Sequence, residues 1–232
     1  MKIRRIILLG AFSSALLQSG LGQGFVNLDF EDATVAPTPV NGFGGSVDPG
    51  IAFPGWTVGG SGTVVIYNDL SLGAPAACLM GPDFPNAVNY TPLEGSYSAL
   101  LYYSGGAGPP PTLSQTGLVP AGTQSINFLV SPSASDAVVT LNGVPIPLLP
   151  ISGGRLAGNV AAFAGNEAQL TFSTTGSFGV FGDRFFYFDD VQFSPTSVPE
   201  PSICSLVIVC ILILSWRIKR PNNALERTAT VL

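Results

Sequence analysis

Apolar and polar residues alternate along most of the chain between Gln23 and Ser197. A two-residue period predicts strands that bury one face. No apolar pattern of helical period longer than two turns interrupts this region. Short strands separated by turn residues are typical of an all-β sandwich or barrel. We expect strands at residues 26–30, 64–67, 97–103, 126–130, 138–141, 144–148, 170–172 and 185–193.

The clearest turn signal is Asn142-Gly143, which stands between two of these apolar segments. Asn-Gly supplies the two positive φ angles that a type I′ turn requires, so a β-hairpin is predicted here. Pro145 and Pro147 cannot donate to a strand ladder. The second arm of the hairpin is therefore expected at the edge of a sheet.

Both ends of the chain differ from this pattern. A basic start and an apolar run at 6–17 precede Gly20-Leu21-Gly22, which predicts a signal peptide cut after Gly22. Near the other end, 202–216 carries no charge and is followed by a basic cluster. Fifteen helical residues would cover only about 22 Å of a bilayer core about 30 Å thick, so we predict a short membrane helix. A buried core helix is the alternative.

These signals divide the chain into five segments. Because basic residues remain on the cytoplasmic side of a membrane, both ends are expected inside and the middle outside. The predicted segments are a signal peptide (1–22), an exported β-sandwich domain (23–193), a linker (194–201), a transmembrane helix (202–216) and a basic cytoplasmic tail (217–232).

Charge is distributed very unevenly. The region from Asp29 to Asp190 holds twelve carboxylates but only Arg155 and Arg184, so it is acidic by about ten charges. Nucleic-acid binding requires the opposite sign and is excluded. The chain has no histidine, which removes Ser-His-Asp and Cys-His nucleophiles and the commonest zinc ligand. Cys78 is alone in the exported part, so we expect a buried apolar residue there and no intramolecular disulfide.

The C-terminal signals resemble a known sorting domain. A Pro-Glu-Pro tripeptide, an apolar helix and a basic end look like the PEP-CTERM domain of exported proteins of Gram-negative bacteria. The resemblance implies recognition by an exosortase-type membrane protease, with inner-membrane anchoring followed by delivery to the cell surface or extracellular matrix. Twelve further residues, 221–232, are a departure from the usual pattern. The residues that match the signal are Val198, Pro199, Glu200, Pro201, Ser202, Arg217, Lys219 and Arg220.

The exported part carries a second resemblance. Its opening segments 27–31 and 54–57, and its closing segment 187–193, look like those of jelly-roll domains of the carbohydrate-binding and galactose-binding-like type. The resemblance implies a jelly-roll-like β-sandwich whose first and last strands lie side by side. It also implies a structural Ca²⁺ where those strands meet.

Four carboxylates are candidate calcium ligands. Strand alternation puts Asp189 on one face with Tyr187 and Val191, and Asp190 on the other. A carboxylate on the core face needs a partner, and a cation is one such partner. Ca²⁺ prefers six to eight oxygen ligands, and Glu31 and Asp32 follow the predicted first strand. Turn capping, or pairing with Arg184, is the alternative for these acids.

Aromatic side chains could stack on sugar rings, since their faces are flat and apolar. Trp56, Tyr90 and Tyr102 are the candidate ligand-binding residues, although for Trp56 a core anchor at the start of a strand is the favoured alternative. We therefore expect a structural or adhesive surface protein with possible polysaccharide binding. Two alternatives remain open, namely a scaffold that binds no ligand and a glycoside hydrolase that uses Asp and Glu.

Overall fold

The fold is that of a computed structural model, which describes residues 24–37, 44–70, 75–82, 84, 91–104, 108–174 and 183–198. The predicted signal peptide, membrane helix and tail lie outside these residues, as does the sorting signal from Pro199 onward. Within the described ranges, no helix combines the length and the apolar character needed to cross a bilayer.

The described residues form an all-β structure of two sheets, as the alternation predicts. Helical structure in these residues amounts to one α-helical turn, α1 (Pro49–Ala52), and one 3₁₀ turn (Ala161–Phe163). The strands are β1 (Gly45–Ser46), β2 (Thr57–Gly59), β3 (Val64–Tyr67), β4 (Ala76–Met80), β5 (Ser98–Tyr103), β6 (Thr112–Leu118), β7 (Ser125–Ser135), β8 (Ala137–Leu141), β9 (Val144–Pro145), β10 (Leu148–Ile151), β11 (Arg155–Asn159), β12 (Glu167–Thr174) and β13 (Arg184–Ser194).

The large sheet has eight described strands in the order β1-β3-β4-β5-β13-β7-β11-β10, and the small sheet has five in the order β2-β6-β12-β8-β9. Neighbouring strands run antiparallel except β3 and β4, which are parallel. β13, the last strand, lies in the middle of the large sheet between β5 and β7. This position brings the end of the domain next to elements from all along the chain.

The main core lies between the two sheets, because its buried residues come from both. Phe172 of the small sheet stacks on Phe188 of the large sheet with ring centroids 4.5 Å apart. Phe186 stacks on Phe188 at 4.3 Å, and Phe128 meets Phe172 edge-on at 5.4 Å. Stacked and edge-to-face rings each add roughly 0.5–1.5 kcal/mol beyond the area they bury.

A second core covers part of the outer face of the large sheet. Ile66, Cys78, Leu100 and Tyr187 are fully or almost fully buried there, at positions that alternate with residues of the main core. Cys78 is thus the buried apolar residue that the sequence predicts, and burial raises its thiol pKa to about 12. The central strands of the large sheet therefore bury both faces.

The hairpin prediction is confirmed. Asn142 and Gly143 have φ angles of 50° and 75°, which are the two positive values of a type I′ turn. β8 and β9 pair on either side of the turn, and β9 is the edge strand of the small sheet. Pro145 is therefore at an edge, where its missing N–H disrupts no ladder.

The prediction of a first strand at 26–30 is wrong. This segment forms turns, with positive φ at Asn27 and Phe30, and its burial does not alternate as predicted, because Val26 is exposed whereas Asn27 and Phe30 are both buried. Its backbone partner is a side chain: the Gln115 amide accepts from Val26 N at 2.6 Å and donates to Val26 O at 3.0 Å. The segment still lies beside the last strand, since Val191 N donates to Leu28 O at 2.9 Å.

Candidate functional site

A β-bulge in β13 re-aims Asp190. Asp189 lies opposite Leu129 and Gln192 lies opposite Asn127, so β13 has one extra residue between these pairs. Asp190 accommodates the extra residue by adopting a φ of 45°. This is a left-handed conformation that Asp tolerates better than most residues. Val191 consequently faces the main core with Phe188, and Asp190 points outward. The prediction that Val191 shares the face of Asp189 and Tyr187 is therefore wrong.

Arg155 fixes Asp190 in place. Its Nη1 pairs with Asp190 Oδ2 at 2.7 Å and its Nη2 donates to the Asp190 carbonyl at 2.6 Å. Gln192 Nε2 donates to both carboxylate oxygens. Partial burial raises the pKa of Asp190, but these hydrogen bonds and the guanidinium charge outweigh burial and lower the pKa overall. Arg184 instead pairs with Asp136, so the alternative that Arg184 neutralises this cluster is wrong.

Asp189 has the opposite environment. It is 1% exposed, and its Oδ2 accepts hydrogen bonds from Ser98 Oγ at 2.7 Å and Glu94 N at 3.1 Å. Its Oδ1 accepts from Asp190 N at 2.7 Å. Desolvation is the dominant effect, and it raises the pKa of Asp189 to about 7 despite these donors.

We call residues 91–97 the strap, because three side chains bind this segment across the end of the large sheet. Besides Asp189, Glu31 Oε1 accepts from Ser96 N at 2.8 Å and Tyr97 N at 2.9 Å. Tyr187 donates through its hydroxyl to Thr91 O at 2.6 Å. Gly95 has a φ of 56°, and a Cβ there would collide with the Glu31 carboxylate. The close approach therefore requires glycine.

A cleft of about 380 Å³ opens between the 25–32 segment and the β13 bulge. We call it the aspartate cleft. Its lining residues are Phe25, Asn27, Leu28, Asp29, Asp32, Asp190 and Val191. A smaller recess of about 200 Å³ adjoins it under the strap, and Asp29 and Asp190 line both spaces. Glu94 lines this recess, where the charge of Asp190 raises the pKa of Glu94.

The walls of the aspartate cleft are held by hydrogen bonds. Asn27 donates through Nδ2 to Pro54 O at 3.0 Å, and its Oδ1 accepts from Asp32 N at 3.0 Å. Its carbonyl accepts from Trp56 Nε1 at 2.8 Å, so the buried tryptophan supports the turn. The cleft thus presents the exposed carboxylates of Asp29 and Asp32 on a hydrogen-bonded turn, with little apolar surface, because Phe25 and Val191 are almost fully buried.

The structure brings the four predicted calcium ligands to these adjoining spaces: Glu31, Asp189 and Asp190 line the recess, and Asp32 lines the cleft. Their oxygens, however, already accept hydrogen bonds from protein donors at Glu31, Asp189 and Asp190. Among the described residues, no group of three or more acidic or sulfur ligands is arranged to hold a metal ion. The residues as placed do not form a ready calcium site, and calcium binding stays a prediction.

The predicted aromatic residues do not form a binding platform together. Trp56 is only 6% exposed and packs between Phe30 and Phe172, so its placement as a sugar-stacking residue is wrong and its core alternative is correct. Tyr90 lies outside the described residues. Tyr102 is half-buried and stacks on Phe185 with centroids 4.7 Å apart and an interplanar angle of 2°.

Glu94 and Asp190 have pKa values shifted in opposite directions, a pattern seen in catalytic acid–base pairs. Their carboxyl groups are close enough to share a hydrogen bond. Glycosidase carboxylates stand about 5–9 Å apart so that the sugar or water fits between them. This pair is therefore an electrostatic contact, and the hydrolase alternative stays an untested prediction.

Comparisons with known proteins show a likeness to solved structures but not to any known family. No protein-family model matches this sequence, and no curated protein matches it either. The solved structure of TmCBM61 in complex with β-1,4-galactotriose is similar with a TM-score of 0.35 and 15% identity, over 75% of this chain and 98% of that chain. A TM-score this low says nothing about which residues of this chain bind a ligand.

Proposed function

We propose that this chain is an exported, membrane-tethered surface or matrix protein of a Gram-negative bacterium that binds extracellular polysaccharide at the aspartate cleft. The supporting observation is the cleft itself, in which the carboxylates of Asp29, Asp32 and Asp190 stand beside the half-buried Leu28. Sugar hydroxyls donate hydrogen bonds to carboxylate and amide oxygens, while the C–H faces of the ring pack on apolar side chains. Nothing in this role requires catalysis.

The negative charge of the aspartate cleft restricts the class of polysaccharide that it can bind. Asp29, Asp32 and Asp190 line it, and the nearby Arg155 is already paired with Asp190. A uronic-acid or sulfated polymer would bring further negative charge against these groups. We therefore expect neutral or amine-bearing chains to bind and anionic chains to be rejected.

The finer features of the proposal rest on sequence. The sandwich is proposed to be of jelly-roll type, delivered by the 1–22 signal peptide and held by the 202–216 helix. An exosortase-type protease would recognise the Pro199-Glu200-Pro201 signal. The mass of the protein recovered from the cell surface tests this: loss of the residues after the tripeptide supports processing, and an intact C-terminus contradicts it.

A glycan array tests binding, with the double variant Asp29→Asn, Asp32→Asn compared with Glu167→Gln. Glu167 is an exposed carboxylate on β12 and does not line the cleft. We expect saturable binding of neutral glycans that weakens about tenfold or more in the double variant and is unchanged in the control. Absence of saturable binding to every glycan would favour the scaffold alternative. Released sugar would favour the hydrolase.

A further inference from the structure

A second recess lies on the outer face of the large sheet, on the other side of Arg155 from the aspartate cleft. It has a volume of about 430 Å³, within the usual range for small-ligand sites. We call it the serine groove, because hydroxyl and amide side chains supply its polar lining. These polar residues are Ser125, Asn127, Ser152, Ser194, Thr196 and Ser197.

Among the residues that the structure describes, the lining of the serine groove includes no charged side chain, unlike the lining of the aspartate cleft. Pro150, Ile151 and Val198 give it apolar walls. Uncharged hydroxyls beside apolar walls match a neutral, hydroxylated ligand, because a charged ligand would lose its hydration without a compensating partner. The chemistry of the groove therefore selects neutral saccharide over anionic or cationic ligands.

The walls of the groove are fixed by the main fold. Ser125 is 4% exposed and donates through Oγ to Thr196 O at 2.7 Å. Gln124 N donates to Ser194 O at 2.8 Å, so the segment that follows β13 is held against β7. A pre-formed wall loses little conformational entropy when a ligand binds.

Arg155 connects the two recesses. Its Nε donates to Asn127 Oδ1 at 2.6 Å, and Asn127 lines the serine groove. Its Nη1 pairs at 2.7 Å with Asp190, which lines the aspartate cleft. Arg155 is therefore hydrogen-bonded to one lining residue of each space, and a ligand of several units that reached from Asn127 to Asp190 would contact both.

We propose that the serine groove is a second saccharide subsite, so that one neutral polysaccharide chain lies across Arg155 and occupies the groove and the aspartate cleft together. The proposal rests on the proposed polysaccharide-binding function and extends it to the length and charge of the ligand. Affinity should rise with oligosaccharide length until both spaces are filled.

The test is a titration of the full-length chain with neutral glucan, galactan and mannan di-, tetra- and hexasaccharides. The variants Ser152→Trp and Ser197→Trp fill the groove from exposed positions, and Ser61→Trp is the matched control at an exposed turn outside it. We expect the hexasaccharide to bind the unmodified chain and the control about tenfold more tightly than the disaccharide does. Both groove variants should remove this gain and leave disaccharide affinity unchanged.

Amide chemical-shift changes distinguish failure of the subsite from failure of the proposed function. Changes at both the 151–152 amides and the aspartate cleft support the inference. Changes at the cleft alone, with a length dependence that the tryptophan variants leave intact, overturn the subsite and keep the proposed function. Changes at the groove alone keep the subsite and overturn the assignment of the cleft. No change with any neutral oligosaccharide overturns both.

Discussion

The outer face of the large sheet has two halves: other parts of the chain cover one with apolar side chains, and the other carries a polar network. The covered half consists of outward residues of β3, β4 and β5 with Tyr187, and all of its core residues are buried. The open half consists of outward residues of β7, β11 and β10 with Asp190 and Gln192, where Arg155 organises a polar network. One sheet thus supplies a second core at one side and both proposed saccharide subsites at the other.

The difference shows that a covered sheet face buries apolar side chains, which adds to stability. Every residue of β4 is buried, whereas β12 in the small sheet alternates between buried and less buried positions. The strap supplies part of the cover, with Leu93 packed on the second core. The open half instead buries polar groups in hydrogen bonds, since Ser125 bonds to the segment that follows β13 and Asn127 bonds to Arg155.

The largest effect expected from this comparison comes from one leucine in each half. Leu100→Ala removes a fully buried side chain from the covered half and should lower the free energy of unfolding by about 2–5 kcal/mol. Leu149→Ala, in the open half, shortens a side chain that is 37% exposed. This substitution should change the free energy of unfolding by less than about 1 kcal/mol. Urea denaturation of both variants measures the difference. Equal losses would show that the open half is covered as well.

Asp189 marks the boundary between the halves and should make stability depend on pH. Its folded pKa of about 7 lies above the free value of 3.8, so the folded state binds the proton more tightly. Protonated Asp189 therefore adds up to about 4 kcal/mol to the free energy of unfolding below about pH 4. This contribution is lost as the pH rises through about 7. Denaturation midpoints across this range should fall for the unmodified chain.

Asp189→Asn removes this titration and is the matched control, so the difference between the two chains isolates Asp189 from its neighbours. Those neighbours are Glu31, Glu94, Asp190, Arg155 and Tyr187. Glu94 titrates in the same direction as Asp189, whereas the lowered pKa of Asp190 works in the opposite direction. A variant that kept the full pH dependence would assign it to those groups instead.

Arg155 and Arg184, the two arginines of the sandwich, should also differ in their contribution to stability. Arg155→Met leaves the Asp190 carboxylate, 19% exposed, without its cation and should cost about 1–3 kcal/mol of unfolding free energy. Arg184→Met breaks a 3.5 Å pair with Asp136 whose side chains are more than a third exposed, and should cost less than about 1 kcal/mol. Thermal melts compare them. A reversed order would contradict the structural role of the Arg155 network.

Calcium should have the smallest effect. Because the oxygens of Glu31, Asp189 and Asp190 already accept protein hydrogen bonds, we expect saturating Ca²⁺ to raise the melting temperature by less than about 2 °C. Magnesium at the same concentration controls for ionic strength. A larger shift specific to calcium would show that the carboxylates rearrange to hold the ion.

Sequence predicts those parts of this fold that depend on neighbouring residues. The Asn142-Gly143 turn and the strands at 64–67 and 185–193 follow from local pattern and are confirmed. The 26–30 segment does not, because its partner is the side chain of Gln115, 89 residues away. β4 is not predicted, since burial on both faces leaves no alternation in Ala-Ala-Cys-Leu-Met.

The candidate site is predicted only in part for the same reason. The acidic residues beside the first and last segments do come together, as the resemblance implies. Arg155, which orients Asp190, carries no sequence signal because it reaches across from β11. The bulge at Asp190 cannot be predicted from the sequence either. One extra residue shifts the alternation of a strand without changing its composition.

The central place of β13 has a consequence for biosynthesis. A ribosome makes residues 184–194 after every other strand of the sandwich, yet this strand joins β5 to β7 in the middle of the large sheet. Until it emerges, the two parts of that sheet have unpaired edges and the core lacks Phe186 and Phe188. Folding by such distant pairing is slow, and the large sheet cannot close until this last strand is available.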